Sequence, residues 1–179
     1  MPRRLRYQVA ASLDGFIAAE DGSYDWIPMD PDIDFAALFD QFDTFLMGRR
    51  TWEQAGAMTS GGHVVVVSTT LEPDAHPSVT VVSDRVIEYV RALKEQPGKD
   101  IWLFGGGQLF RYLLTADLVD TVEPAIVPVL LGQGTRFLPE PALGATLVLT
   151  RHRVFATSGI VLLEYAVAPR AGGDSIGST

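Results

Sequence analysis

The chain has 179 residues, 47% of them hydrophobic, and 14 basic against 22 acidic side chains give a net charge of −8. That length suits one domain with its own core, and the acidic balance argues against non-specific nucleic-acid binding. The absence of cysteine excludes disulfides, thiolate zinc sites and a cysteine nucleophile, and the three scattered histidines, His63, His76 and His152, form no metal-ligand pattern.

The basic start MPRRLR is followed by no apolar stretch of signal-peptide length before Asp14, and no apolar run reaches membrane-spanning length. A cytoplasmic protein is expected. Leu5 to Ala11 reads as a buried first strand, turned by Asp14-Gly15, with Phe16 to Ala18 extended after it. Glu20 to Tyr24 reads as a polar loop. Pro28, Pro31 and three aspartates, Asp30, Asp32 and Asp34, lead into a helix with Phe35, Leu38, Phe39 and Phe42 at helical spacing. Thr44 to Met47 is a short strand ending in Gly48, and Arg50 to Met58 a short helix.

The run VVVVS within His63 to Ser68 is the clearest buried strand. Val79 to Val82 is another. Asp84 is expected to cap a helix through Glu95, with Val86, Ile87, Val90 and Leu93 inward and Pro97-Gly98 ending it. Ile101 to Phe104 is a strand that runs into Gly105, Gly106 and Gly107. A helical pattern follows, with apolar Leu109, Phe110, Leu113 and Leu114. Thr121 to Val129 is extended, and Pro124 and Pro128 suggest an edge or a bulge. Leu147 to Ala156 and Gly159 to Ala168 read as a terminal antiparallel hairpin. Alternating strands and helices, then two consecutive strands, predict an α/β fold with a mostly parallel sheet and an antiparallel edge. Residues 1–168 are expected to form one domain and 169–179 a flexible tail.

Three strand ends carry groups suited to phosphate. Glycines let a backbone approach an anion, and a helix N-terminus offers unpaired N–H groups, so the turn Gly105, Gly106, Gly107 and Gln108 suits a pyrophosphate; it equally suits a tight connection. Gly48 is followed by Arg49, Arg50 and Thr51, whose guanidinium forks and hydroxyl match phosphate oxygens. Ser68, Thr69 and Thr70 follow the VVVV strand, at the sheet edge where open α/β folds bind ligands. One dinucleotide lying along that edge would use all three.

The segments MGRRTWE, VVSTT and FGGGQLF, in this order, resemble the dihydrofolate reductase superfamily. QVAASLDGFIA and LVDTVEPAIVPVLLGQGTRFL look like the reductase domain of bifunctional riboflavin-biosynthesis deaminase/reductases and their stand-alone relatives. The resemblance runs to about Ala168 and implies a three-layer dihydrofolate reductase-like fold using NADPH. Carried over by position, Ala11 contacts the nicotinamide carboxamide through its backbone and Ile17 lies near the ring. Gly48, Arg49, Arg50 and Thr51 hold phosphates, and Ser68 and Thr69 the adenosine ribose and its 2′-phosphate. Gly105, Gly106, Gly107, Gln108 and Leu109 cradle the pyrophosphate.

On the catalytic side the resemblance points to a carboxylate on the first helix, with Asp32 and Asp34 equally placed; both also suit N-terminal caps. Asp25-Trp26 resembles the substrate-side segment of the riboflavin-type relatives, and Trp26 suits stacking on a heterocycle or a place in the core. Asp14 lies in the SLDG turn those relatives share, and Arg136 is a candidate for a substrate phosphate. The implied activity is that of a 5-amino-6-(5-phosphoribosylamino)uracil reductase, with hydride passing from NADPH to a heterocyclic or ribosylamino C=N bond. Dihydrofolate reduction is the second expectation, and a non-catalytic NADPH-binding sensor the third. The relatives also imply a homodimer, with VEPAIVPVLL as its contact.

Overall fold

Eight strands form one sheet in the order β5-β4-β3-β6-β1-β7-β10-β9. They are β1 (Leu5–Ser12), β3 (Phe42–Gly48), β4 (His63–Val67), β5 (Thr80–Val82), β6 (Asp100–Gly105), β7 (Thr121–Val127), β9 (Leu147–Val154) and β10 (Val161–Val167). Two further strands, β2 (Phe16–Ala18) and β8 (Thr135–Arg136), pair with each other. The structure is a computed structural model and describes residues 2–59, 61–141 and 144–170. The first six strands of the large sheet run parallel; β10 is antiparallel to β7 and to β9, as the hairpin reading required.

The sheet is hydrophobic on both faces, and helices cover much of each. Helices α3 (Val86–Glu95) and α4 (Gly107–Thr115) lay Val86, Val90, Leu93, Leu109, Phe110, Leu113 and Leu114 against Leu5, Tyr7, Leu46, Val65 and Leu103. Tyr7 stacks on Phe110 with ring centroids 3.8 Å apart. On the opposite face α1 (Phe35–Phe39) and α2 (Arg49–Ala55) meet Phe42, Phe45, Met47 and Trp102. Three layers result, with odd and even positions of each strand feeding different cores.

Four sequence expectations need correction. The first helix stops at Phe39, and Phe42 opens β3 instead, buried against Trp102 with centroids 4.8 Å apart. Five residues make little more than one turn, held by Asp34 at its start, and pairing with β6 takes the next segment. The second helix ends at Ala55 and continues as a 3₁₀ turn over Gly56–Thr59. Asp84 does not cap α3: Arg85, in the left-handed region at φ 43°, is the N-cap, with no side-chain hydrogen bond to the helix.

Finally, β7 is not an edge. It lies between β1 and β10; the edges of the large sheet are β5 and β9. The prolines are accommodated by a gap. The β10 ladder pairs Leu162 with Ala125 and Tyr165 with Val122, skipping Glu123 and Pro124, so the missing N–H of Pro124 falls where no partner is required. The exposed apolar side chains of β9, Val148, Leu149 and Val154, mark the true edge. Of the expected tail, Arg170 is tied to α4, donating to the Leu114 carbonyl at 3.2 Å and pairing with Asp117 at 2.9 Å; residues from 171 lie outside the described ones. No helix among the described residues is long and apolar enough to cross a membrane.

Candidate active site

A cavity of about 1830 Å³ runs along the C-terminal ends of β4, β3 and β6 and then across the face of β1, β7, β10 and β9. Its first half brings together most of the residues singled out in the sequence: Gly48, Arg49, Arg50, Thr51, Ser68, Thr69, Gly105, Gly106, Gly107, Gln108 and Leu109 all line it. Adjacent parallel strands end side by side, so residues far apart in the chain share one rim. Arg49 joins two of the tips by donating to the Thr70 hydroxyl at 2.8 Å, and its Nε lies 3.2 Å from Glu53. The Ser68 hydroxyl accepts from the backbone N–H of Thr70 at 3.2 Å and of Leu71 at 3.0 Å, closing the turn after β4.

The glycines of this rim have different causes. Gly105 has φ +139°, a conformation other residues adopt only under strain. A Cβ on Gly107 would strike the Arg136 carbonyl oxygen, so close packing explains it. Gly48 and Gly106 have neither reason. A Cβ on Gly48 would meet nothing within 4 Å, and one on Gly106 would meet only the Thr51 hydroxyl at 3.5 Å. The protein leaves open space there, directly before the N-termini of α2 and α4. That space, two arginines and a set of hydroxyls fit an elongated ligand with several phosphates.

The second half of the cavity is built differently. Its floor is the sheet face carrying Arg6, Gln8, Ala10, Ala125, Leu162 and Glu164, with Arg151 and Arg153 at the β9 edge. Arg6 is buried, donating to the Glu123 carboxylate at 2.8 and 2.7 Å and to the Gln41 side-chain oxygen at 2.8 Å. Burial opposes its charge, but Glu123 and Asp100 outweigh that and raise its pKa. Arg153 lies over the Phe155 ring at 4.4 Å and donates to the Asp32 carbonyl at 3.1 Å. The sequence reading missed this floor. Its one signal is the alternation Arg6-Tyr7-Gln8-Val9, which places polar groups on one face of a strand read as uniformly buried.

The catalytic candidates separate. Asp34 lines the cavity and also caps α1, accepting from the Ala37 N–H at 2.9 Å. Asp32 is exposed and does not line the cavity. Trp26 packs with Val127, Phe155 and Ile160 and does not line it either; its indole Nε1 is buried without a partner among the described residues. Ala11 is buried on β1 and off the cavity wall, whereas Ile17 on β2 lines it. Arg136 lines it as well, its guanidinium 5.3 Å from the Phe16 ring.

Two other aspartates fasten the walls. The Asp14 carboxylate accepts from the Ser12 hydroxyl at 2.6 Å and from the Leu131 and Gly132 N–H groups at 3.1 and 2.7 Å. Those bonds, the Ser12 hydroxyl foremost, lower its pKa to about 2. Asp30 is buried and accepts from the Ser158 and Asp32 N–H groups, both at 2.9 Å, tying the loop before α1 to the β9–β10 turn. Its pKa is lowered, chiefly by Ser158.

Comparison with known proteins places the whole arrangement. Residues 3–162 match the family described as RibD C-terminal domain. A Bacillus subtilis relative, the uncharacterized protein YyaP, is 32% identical over 91% of this chain and 94% of its own length. A Shewanella sp. PV-4 protein named for riboflavin biosynthesis superposes with a TM-score of 0.79 at 24% identity, covering 94% of this chain and all of its own. Enterococcus faecalis dihydrofolate reductase, solved with NADP(H), superposes with a TM-score of 0.64 at 20% identity, over 92% of this chain and 94% of its own. The fold is therefore the dihydrofolate reductase-like α/β fold.

Proposed function

The chain belongs to the RibD C-terminal domain family, and from the cavity it builds we propose that it is an NADPH-dependent reductase of the riboflavin-biosynthesis type. The carrying observation is that three strand tips converge on one open groove in which Gly48 and Gly106 have no packing reason to be glycine. When bound, NADPH supplies the hydride for a ribosylamino or ring C=N bond. Gly105, Gly106 and the N–H groups opening α4 take the pyrophosphate, with Gln108 and Leu109 beside them. Arg49, Arg50 and Thr51, with Ser68 and Thr69, take the ribose and its 2′-phosphate. Ile17 borders the nicotinamide. The acceptor then lies over the sheet floor, beside Leu38 and Phe39 of α1, face to face with the nicotinamide. Of the two aspartates, Asp34 is the one placed to hold a proton at the cavity.

Calorimetry with NADPH and NADH tests the assignment. Arg49→Ala should weaken NADPH by about tenfold to a hundredfold, because charge-assisted bonds to phosphate are lost, and leave NADH unchanged. Equal losses would remove the 2′-phosphate assignment, and no NADPH binding by the unaltered protein would overturn the function. Following NADPH oxidation with ribosylaminopyrimidine phosphates and with dihydrofolate separates the two reductase readings. Tight NADPH binding with neither substrate reduced favours the sensor.

A further inference from the structure

The arginines are unevenly partnered. The chain carries 22 acidic side chains against 14 basic ones. Yet Arg50, Arg85, Arg91, Arg111, Arg136 and Arg153 have no carboxylate within ion-pair reach among the described residues. Four of these six, Arg50, Arg111, Arg136 and Arg153, line the cavity. Arg50 and Arg111 lie on α2 and α4, and the Arg136 carbonyl packs against Gly107 where α4 begins. Arg153 stands apart, on the sheet's edge strand β9.

The local geometry holds this guanidinium at the cavity. Every residue of β9 is exposed, but its arginines alternate to one side: Arg151 and Arg153 line the cavity, while His152 and Val154 do not. Arg153 lies over the Phe155 ring at 4.4 Å and spends one N–H on the Asp32 carbonyl at 3.1 Å. A ring face and one neutral oxygen fix the plane of a guanidinium without neutralising it. Asp30 feels its charge, but its carboxylate already accepts from the Ser158 and Asp32 N–H groups. Arg151 is 68% exposed and 3.5 Å from Glu164. An apolar track leads to Arg153. Ala10, Ala125, Leu162 and Arg153 stand in register across β1, β7, β10 and β9, and all four line the cavity.

Resting on the reductase reading above, we propose that Arg153 binds an oxyanion on an arm of the acceptor, at the end remote from the nicotinamide, with Arg151 supporting it from the same face of β9. The fork matches two oxygens of a phosphate or of a carboxylate, and part of it is free of protein partners. The register sets the reach. Three strand spacings separate β1 from β9, about 14 Å in all, so the arm must be several bonds long. The track under it is apolar, so the middle of the arm needs no charge. An acceptor without the anion leaves the guanidinium unpaired and binds less well.

The test uses two matched pairs: ribose 5-phosphate against ribose, and 4-aminobenzoylglutamate against 4-aminobenzamide. Each compound is titrated by NMR into isotope-labelled protein saturated with NADP⁺, following the Arg153 Nε–H signal and the backbone of residues 151–155. In at least one pair the anionic member should bind about tenfold or more tighter than its neutral counterpart and move the Arg153 signal. Which pair responds tells phosphate from carboxylate. The preference should vanish in Arg153→Gln, which keeps an N–H for the Asp32 carbonyl. Arg153→Lys keeps the charge but not the fork, and replaces the glutamine variant if that one does not fold; there the preference should fall about threefold or more. No preference in either pair, a preference unchanged in the variant, or shifts confined to residues 48–51 and 105–109 would overturn the proposal. Failure of the unaltered protein to bind NADP⁺ would sink the reductase reading alone, since the same titrations of the free protein still report on β9 residue by residue.

Discussion

The two halves of the cavity are made by different means. The half proposed for the cofactor is assembled from strand tips, each a short contiguous segment: Gly48 to Thr51, Ser68 to Thr70, Gly105 to Leu109. The half proposed for the substrate is assembled from single side chains on separate strands, Arg6 and Gln8 on β1, Ala125 on β7, Glu164 on β10 and Arg153 on β9, with Glu123 beneath holding Arg6. A tip works through backbone geometry that neighbouring residues determine. A floor works through side chains that meet only after the sheet has formed. The first half should therefore tolerate losses in ligand contacts without unfolding, while the second should couple binding to stability.

The strongest way to break that contrast is Arg6→Met. The Arg6 and Glu123 side chains are 7% and 3% exposed, and removing one partner leaves a buried carboxylate uncompensated. A loss of about 3–5 kcal/mol is expected in denaturant unfolding. A loss under 1 kcal/mol would mean that the floor is not a structural network at all. Asp34→Asn sharpens the contrast from the other side. Asparagine still caps a helix, so stability should hold, while turnover should fall about a hundredfold if Asp34 holds the transferred proton. Asp32→Asn, off the cavity, should change neither. Equal turnover in both variants would discard the carboxylate.

The glycines divide along the same line. Gly107→Ala should cost about 1–3 kcal/mol, because its Cβ meets the Arg136 carbonyl and the backbone must shift. Gly48→Ala should leave the melting temperature in place, because its Cβ would meet no protein atom within 4 Å, and reduce NADPH affinity if the proposed cofactor fills that space. If Gly48→Ala lowers the melting temperature as much as Gly107→Ala, the cradle is merely a packed turn.

What the sequence makes legible follows from this division. The strand-glycine-helix punctuation around Gly105 and the VVVV strand are local signals, and the structure returns both with boundaries within a residue or two. Phe42 reads as helical in the sequence because apolar spacing cannot tell a fourth helical contact from the first residue of a strand. Pro124 points to an edge or a bulge because a missing N–H is visible in sequence, whereas the gap in the β10 ladder that absorbs it is not. The roles of Asp30 and Asp14, fastened to residues 128 and 118 positions away, depend on contacts no local pattern carries.

Asp14 gives the smallest expected effect and the one with a clear pH signature. Its carboxylate holds the turn after β1 to Leu131 and Gly132. That contact delivers Gly134 against the Ala18 carbonyl and lets β8 pair with β2 beside the cavity. The folded pKa is about 2 against an ordinary 3.8. A depressed carboxylate stabilises the fold above its unfolded value and loses that contribution as pH falls towards the folded one. The stability gap between the unaltered protein and Asp14→Asn should therefore be constant above about pH 4 and close progressively between pH 4 and 2. Hydrogen exchange at residues 131–136 should accelerate in the same window in the unaltered protein, and be fast throughout in the variant. A gap that persists at pH 2 would show that the ionised carboxylate is not what anchors this segment.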